Sequence, residues 1–139
     1  MLELNMAKEL LLSGGLSVVA VDKNLNVVFS SKEGGVKPVV DLLMNNKEAL
    51  RGLYVADKVI GRAAASLFIY AGVKGCFGRI MSDGAALMLK EQGIETFFDK
   101  KVPFIKNKNK TDICPMEGLV LDCVHYNECV KRLFEFFKK

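Results

Sequence analysis

The spacing of hydrophobic residues changes along the chain, and these changes predict where helices and strands lie. Apolar residues three or four positions apart indicate an amphipathic helix that ends at Gly14-Gly15. The continuous, β-branched run over 16–22 indicates a buried strand. The predicted elements, in order, are a helix over 1–13, strands over 16–22 and 27–30, a helix over 38–45, a strand over 53–56, a helix over 61–71, a strand over 75–81, a helix from 82 that ends at Gly93, a strand over 94–98 and a helix from 114 toward 138.

Strands and helices alternate in the second half of the chain, which predicts right-handed crossovers and parallel neighbouring strands. The opening hairpin adds an antiparallel arm. The polar stretch 99–112, which contains Pro103, is predicted to be a loop that wraps the sheet edge. The chain is therefore expected to form one domain, residues 1–139, of the α/β class: a three-layer α/β/α sandwich around a mixed five-stranded sheet.

The junction between the third strand and the following helix is the most informative stretch for function. Asp57 and Lys58 follow the strand, and Gly61 turns the chain into an alanine-rich helix that begins near Arg62. Ligands tend to bind at the carboxyl ends of parallel strands, where helix N–H groups are free. Lys58, Gly61 and Arg62 are predicted to bind an anion, and Asp57 to hydrogen-bond a ribose hydroxyl or act as a base. The alternative is a strand-end ion pair and a tight turn.

Two further positions carry candidate chemistry. Ser82 starts the next predicted helix, so two helix starts would flank one cleft, although a serine there is also an ordinary N-cap. Cys114 and Glu117 open the last predicted helix, where a thiol is favoured as thiolate and Lys108 or Lys110 would help. Glu117 is either a base or a first-turn carboxylate that complements the helix dipole.

Cysteine and histidine also occur near the C-terminus, as Cys123, His125 and Cys129. Their spacing does not match the common zinc patterns, so the two thiols are interpreted as core residues and no metal or cofactor is predicted. His125 is placed on the same long helix as Cys114, about 16 Å further along the axis, which is too far for the two to pair.

Three segments have two interpretations each. The loop over 31–37 either closes over the cleft or only leaves the hairpin. The lysine-rich segment 106–110 is a solvated loop, which is favoured, or a phosphate-binding patch. The phenylalanine-rich segment 134–137 cannot face one small core with every ring, so a homo-oligomer interface is an open alternative.

Composition limits the classes of partner. The net charge of +4 is too small to predict nucleic-acid binding. No apolar run approaches the roughly 18 residues that span a membrane, and the N-terminus lacks the order of a secretion signal. A cytoplasmic protein with no membrane partner is expected, and its four cysteines are expected to be reduced.

Four short segments, over 30–38, 57–65, 80–82 and 114–117, together resemble a small family known only as a domain of unknown function, which is related to the cytidine-deaminase-like fold. The resemblance covers most of the chain through the order and spacing of these segments. It implies a cytidine-deaminase-like fold.

The sequence departs from true zinc deaminases at the positions that bind zinc. Those enzymes have His-x-Glu or Cys-x-Glu at the first crossover helix and Pro-Cys-x-x-Cys at the second. Here the corresponding stretches 61–65 and 81–86 contain no histidine, cysteine or glutamate. The resemblance therefore implies the fold without the deaminase reaction, because no protein ligands would hold a catalytic zinc.

The function predicted first is binding of a small molecule, a nucleotide-like or ribose-phosphate-like ligand, at the helix starts. The alternative is a metal-independent enzyme that uses Asp57, Cys114 or Glu117. A structural or interaction module is ranked third.

Overall fold

The computed structural model describes residues 2–107 and 109–138 of the chain. Lys108, which the sequence offers as a partner for Cys114, lies outside the described residues. The helices are α1 (Leu2–Ser13), α2 (Lys37–Asn45), α3 (Arg62–Ala71), α4 (Asp83–Glu91), α5 (Pro115–Leu119) and α6 (Tyr126–Phe137). The strands are β1 (Val18–Val21), β2 (Val27–Ser31), β3 (Tyr54–Ile60), β4 (Gly75–Ser82) and β5 (Glu95–Val102).

The five strands form one mixed sheet in the order β2-β1-β3-β4-β5. β1 pairs antiparallel with both β2 and β3, whereas β3, β4 and β5 run parallel. The helices α3 and α4 are the crossovers between the parallel strands. The predicted mixed five-stranded sheet, with an antiparallel arm from the opening hairpin, is confirmed.

Helices cover both faces of this sheet, as the predicted three-layer arrangement requires. On one face, α1 buries Leu4, Ala7 and Leu11 against residues of β1, β3 and β4. On the other face, α2, α3, α4 and α6 share the larger core with the sheet. The alanines of α3 are all buried, because small side chains let this helix lie close to the strands beneath it.

Two strands are longer than the sequence predicts. β3 continues to Ile60, so Asp57 and Lys58 lie within the strand and not after it. β5 continues through the charged stretch to Val102, where a loop is predicted. In both cases pairing with β4 holds polar residues in extended conformation, and tertiary pairing outweighs their low strand propensity.

The predicted single C-terminal helix is wrong, because the chain forms two helices there. α5 ends at Leu119, and α6 begins after His125, whose Nδ1 accepts a hydrogen bond from the Asn127 N–H. The apolar residues of both helices fit one helical spacing by chance, which concealed the break. His125 and Cys114 therefore do not share a helix axis, and the axial separation of about 16 Å predicted for one helix does not apply to them.

The cysteines predicted to be core thiols are buried. Cys123 lies in the connection between α5 and α6, and Cys129 lies on α6. Burial, followed by a hydrogen bond to the Cys129 thiol, raises the pKa of Cys123 to about 11. Cys76 on β4 is also buried.

The phenylalanine-rich segment divides between core and surface. Phe134 packs edge-on against Tyr70, with ring centroids 5.6 Å apart. Phe136 remains 50 % exposed. A homo-oligomer that covers Phe136 stays a prediction. None of the helices within the described residues is long and apolar enough to cross a membrane.

Candidate functional site

The two crossover helices begin side by side at one rim of the sheet. Ile60 of β3 is paired with Met81 of β4, and each strand leads directly into its helix. Gly61 is the N-cap residue of α3, and Ser82 is the N-cap residue of α4. This is the arrangement that the sequence predicts for the cleft.

The start of α3 is occupied by a carboxylate from another part of the chain. Oε1 of Glu117, on α5, accepts a hydrogen bond from the Arg62 N–H at 2.6 Å, and Oε2 accepts one from the Ala63 N–H at 2.8 Å. A negative charge at a helix N-terminus is favourable, since unsatisfied N–H groups and the helix dipole both attract it. Glu117 therefore fills the place where the sequence predicts a ligand anion.

Gly61 makes this contact sterically possible. A Cβ atom at position 61 would lie 2.4 Å from both Cδ and Oε1 of Glu117. The backbone angles of Gly61, φ −97° and ψ −171°, are extended and open to any residue, so no special conformation demands glycine. The group that approaches the backbone at Gly61 is Glu117.

The environment of Glu117 acts on its charge in opposite directions. The side chain is only 8 % exposed, and burial raises the pKa of its carboxyl group. The hydrogen bonds from Ala63 and Arg62 and the positive charge of Arg62 oppose that effect. Glu117 is thus a buried acid held at a fixed position by backbone donors.

The side chain of Arg62 reaches a different part of the chain from Glu117. Its Nη2 donates a hydrogen bond to the carbonyl oxygen of Cys123, and its Nε is buried without a hydrogen-bond partner among the described residues. The side chain joins the start of α3 to the connection between α5 and α6. The predicted contact of Arg62 with a phosphate or carboxylate would require the guanidinium to turn.

A cavity of about 190 Å³ lies beside the start of α3, and we call it the Asp57 pocket. Five of the residues predicted from the sequence line it: Asp57, Lys58, Gly61, Cys114 and Glu117. Residues 34–36 of the loop after β2 and Ile105 are also part of the wall, as are Ser17, Val59, Ala64 and Met116. The tertiary structure therefore brings together candidates from β3, the α3 start and the α5 start. It also puts part of the loop over 31–37 at the same pocket, where either closure over the cleft or a simple hairpin exit stays open.

Asp57 is the other acid of this pocket, and its pKa lies far above the ordinary value of an aspartate. Burial raises the pKa of its carboxyl group to about 7, against weaker stabilisation of the charge by the backbone N–H groups of Val59 and Lys58. The Val59 N–H lies 3.2 Å from Oδ1. A carboxyl group that titrates near neutrality can accept or donate a proton under physiological conditions.

Cys114 and Ser82 have different surroundings. Cys114 is half-buried, lines the Asp57 pocket and donates its backbone N–H to the Ile105 carbonyl at 2.8 Å. Ser82 is buried, and its Oγ accepts a hydrogen bond from the Ala85 N–H at 3.1 Å, so it acts as an N-cap outside the pocket wall. Within residues 2–107 and 109–138, no three His, Cys, Asp or Glu side chains are grouped so that they could hold a metal ion.

The pairing of Glu117 with the α3 start is the feature that sequence reasoning missed. Arg62 and Glu117 are 55 positions apart. A glycine at the start of a helix, without a capping side chain of its own, is the one local sign that another group caps it. That sign does not identify which carboxylate supplies the cap.

Comparison with known proteins identifies relatives of the whole chain. The family model of TM1506, described as a domain of unknown function (DUF1893), matches residues 6–137. A crystal structure of the DUF1893 family protein TM1506 from Thermotoga maritima is 30 % identical in sequence, with a TM-score of 0.88. The match covers 97 % of this chain and 90 % of that one. No curated protein matches the chain.

Proposed function

We propose a ligand-binding function for this chain, which belongs to the DUF1893 family of unknown function. The ligand would bind in the Asp57 pocket. One observation carries the proposal: a single pocket brings two buried or half-buried acids, Asp57 and Glu117, together with Lys58 and Cys114. Asp57 forms no salt bridge with another described residue, and a desolvated acid without such a partner costs stability; groups of this kind in a concave pocket are typical of binding sites.

The chemistry of the pocket favours a ligand with hydrogen-bond donors. Carboxylates accept hydrogen bonds, so ribose hydroxyls or an amino group on a base would face Asp57 and Glu117. The pocket of about 190 Å³ is smaller than the roughly 300–1,000 Å³ of typical drug-sized sites, which suits a single ring. The phosphate of a nucleotide-like or ribose-phosphate-like ligand would lie outside it, near the exposed Lys58.

This placement differs from phosphate binding at a helix start. Glu117 already occupies the α3 N-terminus, and the Ser82 hydroxyl caps α4. A second anion at α3 would be repelled by the first. Among the residues over 2–107 and 109–138 that line the pocket, Lys58 is the cation that remains for a phosphate.

Calorimetric titration with ribose 5-phosphate, nucleoside monophosphates and the matching nucleosides tests the proposal, with inorganic phosphate as the control ligand. We expect one ligand to bind at a ratio of one per chain and Asp57→Asn to weaken that binding at least tenfold. Lys58→Ala should weaken binding of the phosphorylated ligand more than binding of the matching nucleoside. Asp99→Asn is the matched control, since Asp99 lies on β5 and contacts Lys8. Failure of the whole panel to bind, or equal binding by Asp57→Asn, would refute the proposal.

A second candidate is a metal-independent enzyme that uses the same pocket. The observation that favours it is the presence of Cys114, Glu117 and an Asp57 with a pKa of about 7 in one cavity wall. A nucleophile and a group that exchanges protons near neutrality are the components of general acid–base and covalent catalysis.

Alkylation of the thiol with iodoacetamide distinguishes this candidate. Cys76, Cys123 and Cys129 are buried, so Cys114 is the thiol expected to react, and Cys114→Ser should abolish the reaction. If Asp57 acts on Cys114, the rate plotted against pH should change slope near pH 7, and Asp57→Asn should remove that change. A rate identical to that of a free thiol at every pH would count against catalysis by Cys114.

A further inference from the structure

A larger cavity, of about 580 Å³, lies next to the Asp57 pocket, and we call it the lysine cavity. Its floor is one row of residues across the three parallel strands: Val59 is paired with Ile80, and Ile80 with Lys100. Its wall is the segment 102–107 together with Lys110. Val59 and Ile105 line both cavities, so the two are neighbours at the same rim of the sheet.

The charge of this cavity has one sign. Lys100, Lys106 and Lys110 line it, and no Asp or Glu is among the lining residues in the described part of the chain. None of these three lysines forms an ion pair with another of the described residues. The Asp57 pocket, in contrast, contains two acids.

The segment that carries the lysines is held by its own hydrogen bonds. Lys106 and Ile113 form an antiparallel bridge, and the Asn107 N–H donates to the Asp112 carbonyl at 2.9 Å. The Lys110 N–H closes the turn on the Asn107 carbonyl at 3.0 Å. These bonds hold Lys106 and Lys110 at the cavity wall while both side chains stay exposed, as the solvated loop favoured from the sequence requires.

Apart from Asn107, the remaining lining is apolar. Val59, Ile80 and the stretch 102–105 supply aliphatic side chains, a proline ring and the ring of Phe104, which is 61 % exposed. An aromatic ring left this exposed beside aliphatic walls favours contact with another apolar group. Lysine ammonium groups around an apolar floor complement a molecule with one flat apolar part and one negative group.

We propose that the lysine cavity is a second binding site, which takes a small apolar anion: a flat hydrophobic body with a carboxylate, sulfonate or phosphate. The body lies on Val59, Ile80 and Phe104, and the anionic group lies among Lys100, Lys106 and Lys110. This site goes beyond the proposed function, because it uses different residues and the opposite charge.

Two probes of nearly equal apolar size test the site: 1-anilinonaphthalene-8-sulfonate, which carries one negative charge, and N-phenyl-1-naphthylamine, which carries none. We expect the sulfonate to bind one per chain, at least tenfold more tightly than the neutral amine, in fluorescence and calorimetric titrations at low salt. Raising the salt concentration should weaken binding of the sulfonate and leave binding of the amine unchanged.

Variants assign the binding to this cavity. The double variant Lys106→Ala, Lys110→Ala should bind the sulfonate at least tenfold more weakly and bind the amine with unchanged affinity. Phe104→Ala should weaken both probes. Lys23→Ala with Lys90→Ala is the matched control, since these exposed lysines lie on the β1–β2 turn and on α4 and the net charge falls by the same amount.

Asp57→Asn separates this inference from the proposed function, because it should leave the sulfonate affinity unchanged. Equal binding of the two probes, or full sulfonate affinity in the variant that lacks Lys106 and Lys110, would overturn the inference. Thermal unfolding of each variant checks its fold, and the exposed lysine substitutions should shift the midpoint only slightly.

Discussion

The starts of α3 and α4 lie at equivalent positions in the sheet, yet their free N–H groups are satisfied in different ways. α4 is capped by its own Ser82, three residues from the donor. α3 begins after Gly61, which has no side chain, and is capped by Glu117 from α5. The local cap of α4 completes one helix. The remote cap of α3 also fixes the position of α5 and places a buried acid at the wall of the Asp57 pocket.

Gly61→Ala should give the largest effect at the α3 start. The new Cβ would overlap the Glu117 carboxylate and displace it from both N–H groups while leaving it buried. A buried charge that has lost its partners costs about 3–5 kcal/mol. Urea denaturation should show a loss of this size in the free energy of unfolding.

The double variant with Glu117→Ala isolates the cause of that loss. The extended backbone at position 61 accepts alanine, so Gly61→Ala should cost nothing in the Glu117→Ala background, or stabilise by about 0.4–1 kcal/mol. If Gly61→Ala also lowered the free energy of unfolding by about 3–5 kcal/mol in the Glu117→Ala protein, the clash with Glu117 would not be the reason for glycine at position 61.

Glu117→Ala alone is expected to be the next largest effect. Two backbone N–H groups lose a charged acceptor, which costs about 2–4 kcal/mol together. Glu117→Gln keeps one acceptor oxygen and should lie between the alanine variant and the natural protein. The control is Glu128→Ala in the first turn of α6, where an exposed pair with Arg132 is worth about 0.5 kcal/mol. If Glu117→Ala and Glu128→Ala lowered the free energy of unfolding equally, the remote cap by Glu117 would contribute no more to stability than an exposed ion pair.

Asp57→Asn should stabilise the protein above neutral pH. The folded-state pKa of about 7 exceeds the ordinary value of 3.8, so the folded state binds the proton more tightly and its stability falls as the pH rises from about 4 to 7. The shift corresponds to at most about 4 kcal/mol, and partial contact with water lowers the expectation to about 2 kcal/mol.

Denaturation of both proteins from pH 4 to pH 8 measures this difference. The asparagine variant should equal the natural protein near pH 4 and exceed it by about 2 kcal/mol at pH 8. Asp99→Asn should show no such trend with pH. A difference between Asp57→Asn and the natural protein that does not depend on pH would contradict the pKa assigned to Asp57.

Ser82→Ala should give the smallest effect of the series, a loss of about 1 kcal/mol, because one neutral cap bond is removed from α4. Ser82→Asp, which keeps an acceptor at the N-cap, should recover most of that loss. If Ser82→Ala costs as much as Glu117→Ala, the two helix starts depend equally on their caps.

Much of the fold was predictable because hydrophobic spacing is a local property. The alanine-rich α3 and the β-branched β1 each carry their own signal, and the order of elements then implied the parallel pairing of β3, β4 and β5. The break between α5 and α6 was not predictable, because apolar residues on both sides of Cys123 continue one helical spacing. The extension of β5 to Val102 depends on its pairing with β4. The polar residues of this stretch carry no local signal for a strand, so the extension was not predictable.

The sequence by itself determined the order of strands and helices, the two crossovers and the serine cap of α4, because each depends on residues close together in the chain. The pairing of β1 with β3, in contrast, joins segments far apart in sequence. The sequence also named Asp57, Gly61, Cys114 and Glu117 individually as candidates. Only the tertiary structure decided that Glu117 meets the bare start of α3 at Gly61, and that the lysine-bearing turn lines a cavity. Those contacts join segments far apart in sequence, and the physical forces that fix them, steric fit and charge at short distance, exist only when the chain is folded.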